Sequence, residues 1–160
     1  MDTSIVWPLA SNVIRARSIN HTFGMVRKYE SGAPRPHQGW DFEARVGEPV
    51  FSIADGKVVF VLDKGDYGLQ LCTSFALNGQ TYYAFYAHLN KVYVSEGDTI
   101  EKNAFIAASG KSGNAMSLPA SEEHVHFEIR TREMPRLGLQ DRVSPVAIFG
   151  KCPLSIPIPG

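Results

Sequence analysis

Apolar residues in this chain come in short runs broken by Gly, Pro, Asn and Asp, and no long stripe of period 3.6 runs through them. That pattern predicts an all-β protein rich in turns. Residues 50–53 and 57–62 read as strands flanking Ala54-Asp55-Gly56. Residues 69–77 and 80–89 flank Asn78-Gly79, the strongest short hairpin signal, because both central positions of a type I′ turn need positive φ. Residues 92–95 read as a strand entering the turn Glu96-Gly97-Asp98, and Ile100 and residues 104–108 follow. A long loop then covers 110–122. Earlier in the chain, Trp7-Pro8-Leu9 leads a polar segment to Asn20, and the Gly and Pro content of residues 30–36 reads as a loop ending at His37. Residues 46–54 echo residues 95–108, each placing Gly and an acid before a β-branched residue and a short apolar strand, which suits a sheet folded on itself.

The most informative stretch is residues 123–130. Side chains alternate along a strand, so Val125, Phe127 and Ile129 point to a core while His124, His126 and Glu128 share the opposite face. Two imidazoles two residues apart can share a small target such as a metal ion and its water; a solvated polar face on an edge strand is the plain alternative.

Composition narrows the setting. With 160 residues, 44% hydrophobic and 20% charged, the chain fits one compact domain over residues 1–150, with a proline-rich C-terminal tail over 151–160 that is an extended wrap or disordered. Sixteen basic and sixteen acidic residues cancel, so no overall field recommends nucleic acid or an anionic membrane as partner. No apolar run approaches the roughly 18 residues of a membrane span, and residues 1–10 show neither the basic start nor the apolar stretch of an export signal. Cys72 reads as a small core residue; whether it pairs with Cys152 the sequence leaves open.

Two further segments complement the histidine strand. If His37-Gln38-Gly39-Trp40-Asp41 is extended, His37, Gly39 and Asp41 share a face, with glycine leaving room for an ion. Adding one histidine from the 124–126 strand gives two His and one Asp, a set that suits zinc and leaves a position for water. Tyr83-Ala84-Phe85-Tyr86-Ala87-His88-Leu89 puts Tyr86 and His88 on one strand face, so that His88 is a third independent imidazole. Tyr86 beside it is a candidate substrate-binding residue or an aromatic packing residue. Glu128 is a candidate to orient an imidazole or to pair with a base across the sheet. His21 has no assigned role.

The ordered set His-x-x-x-Asp, Tyr-Ala-His-Leu and His-x-His-Phe-Glu resembles the LytM/lysostaphin-type zinc endopeptidases that cut peptide cross-bridges in bacterial cell walls. The likeness extends to Phe23-Gly24, Gly47-Glu48-Pro49-Val50, Ala54-Asp55-Gly56-Lys57-Val58 and Glu96-Gly97-Asp98-Thr99-Ile100. It implies a folded antiparallel sheet, barrel-sandwich-hybrid-like, with a zinc site in a groove. His37, Asp41 and His126 would be the zinc ligands, and His88 and His124 the catalytic histidines, jointly responsible for water activation, oxyanion stabilisation and protonation of the leaving amine. The implied reaction is attack of zinc-activated water on a peptidoglycan amide, and the rival is a non-catalytic module on the same fold that binds wall peptide or a partner. The resemblance places the protein in the periplasm or cell wall, with peptidoglycan peptide stems as its partner. Without an export signal, a trimmed leader or delivery by a phage tail or secretion apparatus is expected, the latter adding an immunity or inhibitor protein as a candidate partner of an antibacterial effector. Residues 114–123 depart from the family's shorter Gly-Pro loop, and they should border the groove.

Overall fold

The computed structural model describes residues 5–160; Met1 to Ser4, where the expected domain begins, lie outside the described residues. The first strands are β1 (Ser11–Asn12), β2 (Gly24–Lys28), β3 (Pro34–His37), β4 (Trp40–Glu43) and β5 (Pro49–Phe51). Three long strands follow, β6 (Gly56–Lys64), β7 (Gly68–Leu77) and β8 (Gln80–Val92). Then come β9 (Thr99–Ile100), β10 (Phe105–Ser109), β11 (His124–Arg130) and β12 (Arg142–Val143), a single helical turn α1 (Val146–Phe149) and β13 (Ile158–Pro159). The class is all-β, as the residue pattern predicts.

Nine strands form one antiparallel sheet with the path β12-β11-β8-β7-β6-β9, and β4, β5 and β10 pair off it. The expected turn is present, with Asn78 at φ 51° and Gly79 at φ 79°. The two echoing segments pair with each other, Val50 opposite Ala107 and Pro49 opposite Ala108, which folds the sheet on itself. β11 lies between β8 on one side and β4 followed by β12 on the other.

Two segments differ from the sequence reading. Residues 34–36, expected in a loop, instead belong to β3, which pairs with β2 as a separate two-stranded ribbon. Pro34 and Pro36 are tolerated because such a ribbon has a free edge, where a missing N–H costs no ladder bond. Residues 93–95 form no strand of their own, since β8 already runs through to Val92. The C-terminal segment lies along the N-terminal one, with Ile158 opposite Asn12 and the Ile14 amide donating to the Pro153 carbonyl.

The core packs beneath β11, where Val125, Phe127 and Ile129 are fully buried. Aromatic rings anchor it: Phe127 meets Phe42 at 5.8 Å and Tyr86 at 5.3 Å, and Trp7 stacks on Phe149 at 4.4 Å. Both cysteines are free thiols. Cys72 sits in a second small cluster with Phe60, Phe85 and Ala87, where burial pushes its pKa up to about 12. Among the described residues no helix is long and apolar enough to cross a membrane.

Candidate active site

The opposite face of β11 carries His124, His126 and Glu128, all buried, as the alternation predicts. Pairing with β4 sets Asp41 directly opposite His126, and His37 ends β3 four residues before Asp41. Gly39, between them, does not leave room for an ion. A Cβ there would stand 2.0 Å from the Phe127 carbonyl oxygen, so the glycine is demanded by the close approach of β4 to β11.

Hydrogen bonds fix the rings. Thr22 O can only accept, so His37 donates Nδ1–H to it at 2.8 Å and turns Nε2 to Asp41 Oδ1 at 3.1 Å. His126 places Nε2 on Glu128 Oε2 at 2.7 Å and Nδ1 on Asp41 Oδ1 at 2.9 Å. One ligand atom from each of His37, Asp41 and His126 lies within 4.8 Å of the others. Two imidazoles oriented by outer acceptors and one carboxylate form a donor set that fits a zinc ion and leaves a coordination position open.

His88 and His124 stand in the same cavity of about 460 Å³, which is also lined by Tyr67, Asn114 and Leu118. Their rings are 5.0 Å apart. His88 donates Nδ1–H to Ser112 O and His124 donates to Glu122 O, both at 2.9 Å, so each leaves Nε2 as an acceptor. His88 reaches the cavity through a break in alternation. Leu69 opposes Leu89 while Leu71 opposes Tyr86, so Ala87 and His88 together face Gln70 as a bulge, and His88 takes φ 59°.

The same bulge overturns the expectation for Tyr86, which was placed on the His88 face. Tyr86 is fully buried in the main core, its hydroxyl 3.4 Å from the Phe51 carbonyl. Of the six sequence-predicted site residues the structure brings five together, and Tyr86 is not among them. Tyr67 supplies the aromatic group instead: its ring stacks on His126 at 5.3 Å and its hydroxyl donates to Glu128 Oε2 at 2.8 Å. A tyrosine in the turn between two strands carries no sequence signal for that role. Arg15, His21 and Arg27 were also missed, and they surround the second oxygen of Asp41 at 3.5, 3.3 and 3.1 Å. Residues 114 and 118 of the departing loop border the cavity, as expected.

Glu128 both orients an imidazole and pairs with bases. Besides His126 and Tyr67 it accepts from Arg130 Nε at 2.8 Å and Arg142 Nε at 2.7 Å. Burial opposes its ionisation, but the bond from His126 and the nearby charges of His126, Arg130 and Arg142 hold its pKa well below the usual range. Asp41 behaves alike: burial would raise its pKa, yet His37, His126 and His21 hold it far down. Burial disfavours a charged His126, while its bonds to Asp41 and Glu128 outweigh that and raise it to about 9. Burial, with the charges of His124 and His126, pushes His88 down to about 4.

Comparisons with known proteins place the chain in a family. Residues 35–137 match the model of Peptidase family M23. The peptidoglycan DD-endopeptidase ShyB of Vibrio cholerae is 32% identical over 120 residues, which are 74% of this chain and 26% of the relative; the chain thus spans about a quarter of that protein's length. A zinc-containing peptidase from Vibrio cholerae superposes with a TM-score of 0.61 at 30% identity, covering 88% of this chain and 39% of that one. The catalytic domain of lysostaphin from Staphylococcus simulans shares the fold, with a TM-score of 0.63 at 23% identity over 82% of this chain and 90% of that one. A fold of this topology, a His–Asp–His cluster where β3, β4 and β11 meet, and a family match across most of the sheet lead to one conclusion: the chain belongs to peptidase family M23, the metallopeptidases that include lysostaphin.

Proposed function

We propose that this chain is a zinc-dependent endopeptidase domain, spanning residues 1–150 with the tail laid against it, that hydrolyses peptide cross-links of bacterial peptidoglycan in the periplasm or cell wall. The observation that carries the proposal is the convergence of His37, Asp41 and His126 in a cavity that also holds two further imidazoles. His37 Nε2, Asp41 Oδ1 and His126 Nδ1 would hold the ion. Zinc there supplies Lewis-acid polarisation of a carbonyl and acidifies water from a pKa of about 15.7 to roughly 7.

The rest falls to side chains of this chain. Glu128 is fully buried and already accepts four donors, so it is not free to act as a base. His88 and His124 remain, each kept neutral near pH 7, chiefly by burial. With Nδ1–H held by a backbone carbonyl, each turns Nε2 to the cavity, where it can take a proton from water, and once protonated it can donate to an oxyanion or to the leaving amine. The two histidines share these steps.

The test is digestion of purified peptidoglycan sacculi with and without a chelator, with the released fragments identified by mass spectrometry. Chelator-sensitive release of cross-linked peptide stems is the expected result. Binding to sacculi with no release at any metal loading would overturn the proposal in favour of a binding module.

A further inference from the structure

A second cavity, of about 560 Å³, adjoins the first through Arg15 and Arg27, which line both. Its other basic lining residues are Lys28 and Arg35, with the His21 ring beside them, and among the described residues no acidic one lines it. In a chain whose charges cancel overall, this is a local concentration of cations beside the candidate metal ligands.

The ribbon that makes this wall is arranged at a cost. Arg27 and Arg35 sit directly opposite each other in the β2–β3 register, and like charges so placed destabilise a strand pair. Arg27 is half-buried; desolvation, with Arg35 and Arg15 nearby, lowers its pKa, although Asp41 opposes the effect. Arg27 is anchored by Nε to Asn20 O at 2.8 Å and by one terminal nitrogen to Asp41 at 3.1 Å. Arg15 is tied by Nε to Glu122 at 2.7 Å. Among the described residues Lys28 and Arg35 have no acidic partner; Arg35 lies over the Tyr29 ring at 5.8 Å. Arg35 is two residues before His37 on β3, so it shares that strand face about 7 Å away along the strand.

We propose that the groove formed by Arg15, Arg27, Lys28 and Arg35 binds a free carboxylate of the peptide substrate, so that the enzyme selects acidic, carboxylate-bearing stems over uncharged bridges such as oligoglycine. This rests on the peptidase reading above and supplies its substrate class. The ligand chemistry follows from charge complementarity: guanidinium forks match carboxylates in a bidentate manner, and among the described residues Lys28 and Arg35 on this wall have no acidic side chain to pair with.

The experiment compares a cross-linked stem peptide carrying free carboxylates with the same peptide in which they are amidated, on wild-type protein. Hydrolysis is followed by chromatography, and binding to the chelator-treated protein by calorimetry. The free-carboxylate peptide should show a KM about tenfold lower with little difference in kcat, and should bind about tenfold tighter, in keeping with charge-assisted hydrogen bonds. Added salt should shrink both differences. Arg35→Ala should bring the free-carboxylate peptide towards the amidated one, while Arg35→Lys should keep most of the preference and show that the fold tolerates change at this site. Cleavage of both peptides with equal KM, or full preference in Arg35→Ala, would overturn the proposal and leave the peptidase reading standing. Preferential binding of the carboxylate form without cleavage would do the reverse, and neither binding nor cleavage would overturn both.

Discussion

The two oxygens of Asp41 face different parts of the molecule. Oδ1 looks inward to His126 at 2.9 Å and His37 at 3.1 Å, both buried and each ring fixed by a second acceptor, Glu128 or Thr22. Oδ2 looks mainly outward to Arg27, His21 and Arg15, partly exposed groups on the wall of the cationic groove, with the buried His124 Nε2 farther off at 3.8 Å. The inner side is saturated and its tautomers are determined, which is what holding a metal requires. The outer side adjoins Lys28 and Arg35, which have no acidic partner among the described residues, and that suits a wall that meets a mobile ligand. One carboxylate therefore serves as a candidate ligand and as the anchor of the basic groove.

Removing that carboxylate should have the largest effect, because it acts on both sides at once. Asp41→Ala should reduce bound zinc and peptidoglycan hydrolysis to background, as read by elemental analysis and sacculus digestion.

Glu128→Gln acts on the inner side alone. It weakens the acceptor that orients His126, and zinc affinity should fall about 10- to 100-fold by competition with a chromogenic chelator.

The pH dependence separates the inner side further. With His126 raised to about 9 in the metal-free protein, against an unfolded value of about 6.5, its proton contributes stability that is complete below about pH 6.5 and is lost as pH rises through 9. Metal competes for the same nitrogen, so zinc affinity should climb with pH and level off above 9. His88 has the opposite sign: its value of about 4 contributes stability that is present above about pH 6.5 and is lost as pH falls towards 4. Thermal melts of chelator-treated protein across this range would read both.

Tyr86 gives the smallest effect. Tyr86→Phe should leave turnover intact and cost about 1 kcal/mol by removing the partner of the Phe51 carbonyl, a fall in Tm of roughly 2–4 °C.

Much of the site was legible because strand alternation is rigid. Val125, Phe127 and Ile129 had to face a core if His124 and His126 faced a cavity, and the sheet obeys that rule. Alternation failed at Tyr86 because the bulge at Ala87 and His88 breaks the period, and bulges leave no mark in residue type. At Gly39 the sequence is ambiguous: glycine signals a close approach without saying what approaches, and here it is the backbone of β11, not an ion. Arg15, His21, Arg27 and Tyr67 stayed hidden because they reach the site from a 3-10 turn segment, a proline-interrupted ribbon and a hairpin turn. Non-local convergence of that kind is set by packing alone.

In the proposed mechanism His37, Asp41 and His126 hold the ion while His124 acts on the substrate. Zinc per chain and sacculus digestion, measured together on wild type, His126→Ala and His124→Ala, test it most directly. Wild type should show near-stoichiometric zinc and hydrolysis, His126→Ala neither, and His124→Ala retained zinc with lost turnover. Full hydrolysis by His124→Ala, or undiminished zinc in His126→Ala, would contradict it.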